Sequence, residues 1–80
     1  KLRIWGHTDA KGTTDYNKNL SEHRAWAVRD AIIGFGVATD QVTVEGFGAS
    51  RPRQANFNPD GSDNPDGRKV NRRAEVYLDF

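Results

Sequence analysis

The sequence predicts a small α+β domain in the order strand, long helix, strand, long loop, strand. Three observations carry this expectation. Apolar and polar residues alternate with period two in three short segments, a helical pattern with recognisable ends lies between the first two, and a turn-rich stretch separates the last two.

The first strand is Leu2-Arg3-Ile4-Trp5, which alternates and breaks at Gly6. Polar, turn-forming sequence follows through Gly12. A helix is expected from about Thr14 to Phe35, with Thr13 as its N-cap, Asp15 in its first turn and Gly34 or Gly36 ending it. Val42, Val44 and Gly46 alternate with Thr43, Glu45 and Phe47 as a second strand. Ala74, Val76, Leu78 and Phe80 alternate with Arg73, Glu75, Tyr77 and Asp79 as a third. The stretch from Gly48 to Asn71 reads as mostly loop, with a small internal repeat, Asn58-Pro59-Asp60-Gly61 and Asn64-Pro65-Asp66-Gly67. Each copy has the residues of a tight turn, Pro fixing φ and Gly accepting positive φ. Such a long loop in a compact domain is usually functional or mobile.

Eighty residues make one domain at most, and a chain this short buries only about 60–65% of its unfolded surface. With no cysteine, disulfides, thiolate metal sites and thiol nucleophiles are excluded. Twelve basic and 11 acidic side chains leave a net charge of +1, so no global field draws the chain to nucleic acid or membrane. The longest apolar run, Ala25-Trp26-Ala27-Val28, is far short of the ~20 residues that span a bilayer as a helix. Lys1 opens directly into strand-like sequence. Three strands and one helix would also leave sheet edges bare, so the chain reads as an excerpt of a longer protein.

On a wheel of about 100° per residue, Leu20, Ala27, Val28, Ala31, Ile32 and Phe35 share one apolar arc. Arg24 falls near its middle, and Asn17 falls there two turns earlier. An arginine on a core-facing stripe needs an anionic partner. It finds one either in a structural salt bridge or in a ligand bound near the helix's first turns, where free N–H groups favour anions. Asp9, in the loop between strand and helix, is the nearest carboxylate. Facing each other across a cleft, Asp9 and Arg24 would suit a small zwitterion, the carboxylate accepting its ammonium and the guanidinium gripping its carboxylate.

Gly6-His7-Thr8-Asp9, Tyr16-Asn17, Leu20-Ser21 with Arg24-Ala25, Gly36-Val37, Gly46-Phe47-Gly48, Pro52, Asn56 and Gly67-Arg68 with Asn71-Arg72-Arg73 occur in this order along the chain. Together they resemble the OmpA-like domain of outer-membrane protein A, peptidoglycan-associated lipoprotein and the flagellar stator protein. The resemblance implies an α+β, β-α-β-α-β-type sandwich of helices on a mixed sheet over residues 1–80, here without its first strand and helix. It also implies a periplasmic module that holds peptidoglycan non-covalently through the diaminopimelate of the stem peptide, anchoring the outer membrane or an envelope complex to the wall. Asp9 and Arg24 would clamp that zwitterion. Thr8, Asn17 and Leu20 would line the site, and Arg72 would add a contact. No cofactor, metal or catalysis is implied. Membrane attachment would lie upstream, and a homo-oligomer stays open.

Rival readings are weaker. The run Arg68-Lys69-Val70-Asn71-Arg72-Arg73 could be a nucleic-acid patch, but with no interleaved aromatic platform it reads better as cations that pair with the acidic surface. His7 and Asp9 could seed a metal or acid/base site, yet His23 falls on the solvent side of the wheel, and His7 reads as a donor that steadies the loop. Counted from Asp60, a calcium loop needs Gly sixth and Glu twelfth, where Pro65 and Asn71 stand. A structural or oligomerising module that has lost its ligand is the main alternative, and the intact Asp9 and Arg24 oppose it.

Overall fold

The computed structural model describes residues 1–78. Leu2–His7 forms β1, Val42–Gly46 forms β2 and Arg73–Leu78 forms β3; Asp79 and Phe80, expected to extend the last strand, lie outside the described residues. The strands make one mixed sheet in the order β2-β1-β3, β1 running parallel to β2 and antiparallel to β3. A parallel pair needs a crossover, and α1 (Thr14–Gly34) supplies it. The C-terminal ends of β1 and β2 and the start of both α1 and β3 therefore meet at one edge of the sheet.

The expected ends of α1 are found. Thr13 is extended and its hydroxyl accepts the Tyr16 N–H (3.1 Å). At the other end Phe35 and Gly36 donate to Ile32 and Ile33, and Gly36 takes a φ of 104°. The buried stripe differs from the expected arc. It runs Asn17, Ser21, Ala25 and on through half-buried Val28 and Ile32, while Ala27 and Ala31 are exposed and Phe35 is 92% exposed. The cause is a backbone contact that hydrophobicity does not report. A Cβ on Gly6 would sit 1.8 Å from the Ser21 carbonyl oxygen, and one on Gly46 would sit 2.6 Å from Ser21 Oγ. The helix settles on bare strand backbone there, and only a small residue fits. Ser21 Oγ donates to Lys18 O (2.8 Å) and accepts the Gly48 N–H (2.9 Å), so its burial leaves nothing unpaired. The apolar core is correspondingly small: Ile4, Ala25 and Val42, with Leu2, Val28, Ile32, Val37 and Val44 packed around them.

The long loop contains a second helix that the turn reading missed, α2 (Pro65–Asn71). The first Asn-Pro-Asp-Gly copy is the expected turn, closed by Gly61 N–H to Asn58 O (2.9 Å) with Gly61 at φ 87°. The second is a helix start, with Asn64 as N-cap accepting the Gly67 N–H (3.2 Å) and Pro65 at the first helical position. What separates the copies is packing. A Cβ on Gly67 would lie 2.0 Å from Ala55 O, so the second copy is pressed against the incoming loop. Asn71, fully buried at the end of α2, stitches that loop down. Its Oδ1 accepts the N–H groups of Arg53 (2.8 Å) and Gln54 (3.0 Å), and its Nδ2 donates to Gln54 O (2.9 Å) and Asn56 Oδ1 (2.8 Å).

On the sheet face away from α1, Trp5 meets Phe47 edge-on (5.0 Å) and Tyr77 (4.8 Å), and Arg51 lies 4.0 Å over Phe47. His7 belongs to this layer and is no loop donor. It is 1% exposed, stacks on Phe47 at 5.6 Å, and neither ring nitrogen has a hydrogen-bond partner. Nε2 lies 3.5 Å from Glu75 Oε1, too long for a good hydrogen bond. Burial, helped by the charges of Arg73 and Arg51 against that of Glu75, holds its pKa below the ordinary 6.5.

Gly6→Ala is expected to lower the melting temperature by roughly 10 °C or more, because its methyl group can only be seated by lifting α1 off the sheet. A shift within a degree or two in a thermal melt would refute the contact. The His7 shift gives a second expectation. A folded-state pKa below the unfolded one means that the unfolded chain binds more protons. The contribution of His7 is then complete above pH 6.5 and declines as the pH falls through 6.5 to the folded pKa. Melting temperatures from pH 7.5 to 5 should fall for the parent and fall less for His7→Phe; parallel curves would contradict it.

Candidate ligand-binding site

At the edge where the strand ends and the helix starts converge, the loop after β1 leads directly to Asp9. Its carboxylate is nine-tenths buried and fully engaged. Oδ2 accepts from Arg72 Nη1 (2.8 Å) and lies 3.5 Å from Arg68 Nη1, while Oδ1 accepts the Lys11 N–H (3.0 Å). Burial opposes ionisation, but the Arg72 hydrogen bond, the Lys11 N–H and the two guanidinium charges outweigh it and hold the carboxyl below its ordinary 3.8. Arg68 is shared, since it also grips Asp63 through two bonds of 2.7 Å.

Arg24 stands differently from the sequence expectation. It does not face Asp9 as an ion pair. Its Nη1 donates to the His7 carbonyl (2.5 Å), two residues before Asp9, and no carboxylate pairs with it among the described residues. Two physical reasons account for this. Arg24 is only half buried, so its charge keeps part of its hydration. And α2, unseen in the sequence, delivers Arg68 and Arg72 four residues apart on one face to the carboxylate first. The remaining guanidinium N–H groups form a fixed fork that can take a carboxylate. A ligand ammonium would have to join or displace Arg72 at Asp9.

The other expected site residues divide. Thr8 is buried behind Asp9, its hydroxyl donating to Asp9 O (2.9 Å) and its N–H to Gly48 O (2.9 Å), so it braces the loop. Leu20 is half buried, one turn of α1 before Arg24. Asn17 is 4% exposed and lines a cleft of about 390 Å³ between the first turn of α1 and the turn at residues 47–50, whose lining includes neither Asp9 nor Arg24. Arg72 reaches Asp9 from the C-terminal end of α2.

Arg68, Asn71 and Asn56 escaped the reading of single residues. Asn56 Oδ1 accepts from both Asn71 and the Ala10 N–H (3.3 Å), so this polar chain fixes the residue next to Asp9. The available signal was Pro65 following Asn64, a helix start, which places Arg68 and Arg72 on one face. The basic run is spent internally, as cations paired with the acidic surface: Arg68 and Arg72 on Asp9, and Arg73 on Glu75 (2.5 Å) and Arg51 O (3.1 Å). Asp60 accepts from Ser62 N (2.9 Å) and Oγ (2.6 Å). Among the described residues no three His, Asp or Glu side chains gather closely enough to hold a metal ion.

Comparison with known proteins gives the family of this fold. A model of the OmpA family matches residues 1–66. The chain is 46% identical over 77 residues to a photosystem I P700 chlorophyll a apoprotein A2 of Gloeobacter violaceus, covering 96% of this chain and 9% of that protein. It is 43% identical over 77 residues to outer membrane porin F of Pseudomonas aeruginosa, covering 95% of this chain and 20% of the porin. The peptidoglycan-associated lipoprotein of Burkholderia pseudomallei superposes with a TM-score of 0.79 at 32% identity, over 94% of this chain and 58% of the lipoprotein chain. In each case the likeness is to a segment of a longer chain. With the family model covering most of its length and the fold shared, the chain belongs to the OmpA family.

Proposed function

We propose that this chain binds peptidoglycan non-covalently, holds the diaminopimelate of the stem peptide, and does so without catalysis. The observation that carries the reading is the placement of Arg24. One N–H is pinned to the main chain at the end of β1, so the rest of a rigid fork is presented two residues from the Asp9 carboxylate. Diaminopimelate ends in a free ammonium and a free carboxylate, so a fixed cation beside a fixed anion matches its chemistry. Arg72 would shift from Asp9 toward the ligand or share Asp9 with its ammonium. The family, and the names of a porin and a peptidoglycan-associated lipoprotein among its relatives, support a role on the periplasmic side of an outer membrane, anchoring it or an envelope complex to the wall.

A second reading has its own observation. Asp9 is already satisfied by Arg72, Arg68 and Lys11, so it could serve only to lock the loop to α2 in a structural module without ligand. Asp9→Ala cannot separate the two, because it removes the lock as well as any ligand contact. Arg24→Lys can. It keeps a donor for the His7 carbonyl and the positive charge but loses the fork. Under the binding reading its melting temperature stays close to the parent's, while affinity for diaminopimelate-containing peptide falls roughly tenfold or more, about 1.4 kcal/mol. Unchanged affinity measured by calorimetry would remove the fork from the mechanism. The parent chain should also sediment with isolated diaminopimelate-type sacculi, and soluble muropeptides accumulating over time would overturn the binding-only reading.

A further inference from the structure

Strand β2 forms one edge of the sheet. Phe47 N–H donates to Gly6 O (3.0 Å), so Thr43, Glu45 and Phe47 turn their backbone groups toward β1. Val42, Val44 and Gly46 alternate with them and turn theirs outward. Both ends of this edge are closed, because Lys18 Nζ donates to Gly46 O and Val42 N–H donates to Thr39 O. Between them the N–H and C=O of Val44 face the open edge, beside a groove of about 190 Å³ walled by Lys18, Glu22 and Trp26. Trp26 is 48% exposed there, with the Arg29 guanidinium 4.7 Å over its ring.

Trp26 stands level with Val44. A Cβ on Gly46 would lie 2.5 Å from Glu22 Cγ, so Glu22 sits over Gly46. Val44 is two residues back along the strand, ~6.6 Å at ~3.3 Å per residue. That distance is about four residues of α1 at ~1.5 Å each, which leads from Glu22 to Trp26. A two-fold axis at this level makes the edge complementary to itself. Val44 meets Val44 of a second copy in antiparallel pairing, each N–H donating to the other C=O, and Thr43 meets Glu45. On α1, Glu22 lies four residues before Trp26 and Arg29 three residues after it. Each Glu22 therefore meets Arg29 of the copy, on either side of the two Trp26 rings. The strand register and the helix charges give the same axis from different residues. We infer that a second copy of this chain docks here, the two β2 edges pairing about a two-fold axis to continue the sheet from one molecule into the other. The closed strand ends oppose slipped registers, and an isologous contact closes with two copies. Arg24 lies about 200° round α1 from Glu22, so the contact leaves it uncovered.

Sedimentation equilibrium over a concentration series tests this. The parent is expected to pass from 8.9 kDa to twice that mass as concentration rises. Glu22→Arg sets arginine against arginine on both sides of the axis, and Arg29→Glu sets glutamate against glutamate. Each should weaken the dimer about tenfold or more. Their own contacts within the chain, with Lys18 and Asp30, are surface pairs at 3.8 and 3.5 Å, so the fold is expected to survive. Combining Glu22→Arg with Arg29→Glu restores opposite charges across the axis and should regain the parent's association. A parent of 8.9 kDa at every concentration overturns the proposal. So does a dimer that a folded single variant leaves intact, or that the folded double variant fails to restore. Should a charge variant not fold by circular dichroism, Trp26→Ala carries the test. It is expected to weaken the dimer about tenfold, and undiminished association overturns the interface.

Discussion

Helix α1 rests on backbone, and most of the molecule follows from that contact. Gly6 and Gly46 lie on adjacent parallel strands and leave a bare strip into which Ser21 descends. A Cβ on either strand residue would collide with α1, so the rotation of the helix is set there rather than by its apolar residues. Once Ser21 is fixed, Asn17 one turn earlier and Ala25 one turn later must also face the sheet, and Arg24 must sit at the margin of the interface. The first turn of α1 is thereby held against the loops leaving β1 and β2. The placement of these residues is a consequence of how two glycines let a helix approach.

A core this small leaves much of the remaining order to polar groups. Asn71 satisfies three main-chain groups and one side chain at once, Asn64 caps α2 while donating to Ala55 O, and Asn56 links both to the Asp9 loop. Each such bond adds only about 0.5–1.5 kcal/mol net, but removing one partner strands a buried donor or acceptor at about 1–3 kcal/mol. The network therefore specifies geometry more than it adds stability. It brings Arg68 and Arg72 within reach of Asp9 and keeps Ala10 beside the cleft.

Much of the fold was legible because its signals are local. Thr13 capping α1, Gly36 after its end and the alternation of Val42 to Gly46 each report on a few neighbouring residues. What escaped depended on contacts distant in sequence. The two Asn-Pro-Asp-Gly copies are identical as strings, yet one is a turn and the other opens a helix, because only the second packs against Ala55. The apolar arc misjudged Phe35 and Ala27 for the same reason, since a hydrophobic wheel carries no term for backbone approach. His7 was misplaced because its layer on the outer sheet face needs Phe47 and Glu75, and neither is near it in the chain.

Arg24 and Asp9 were singled out as a pair, and the structure separates the two roles that pairing had merged. Asp9 is held ionised by arginines from the far end of the chain, and Arg24 is aimed by a neutral carbonyl, which orients the guanidinium without cancelling its charge. The carbonyl belongs to His7, whose side chain is locked between Phe47 and Glu75 on the opposite side of the sheet. The orientation of the Arg24 guanidinium is thus tied to the packing of the outer aromatic layer, a group remote from it in the fold.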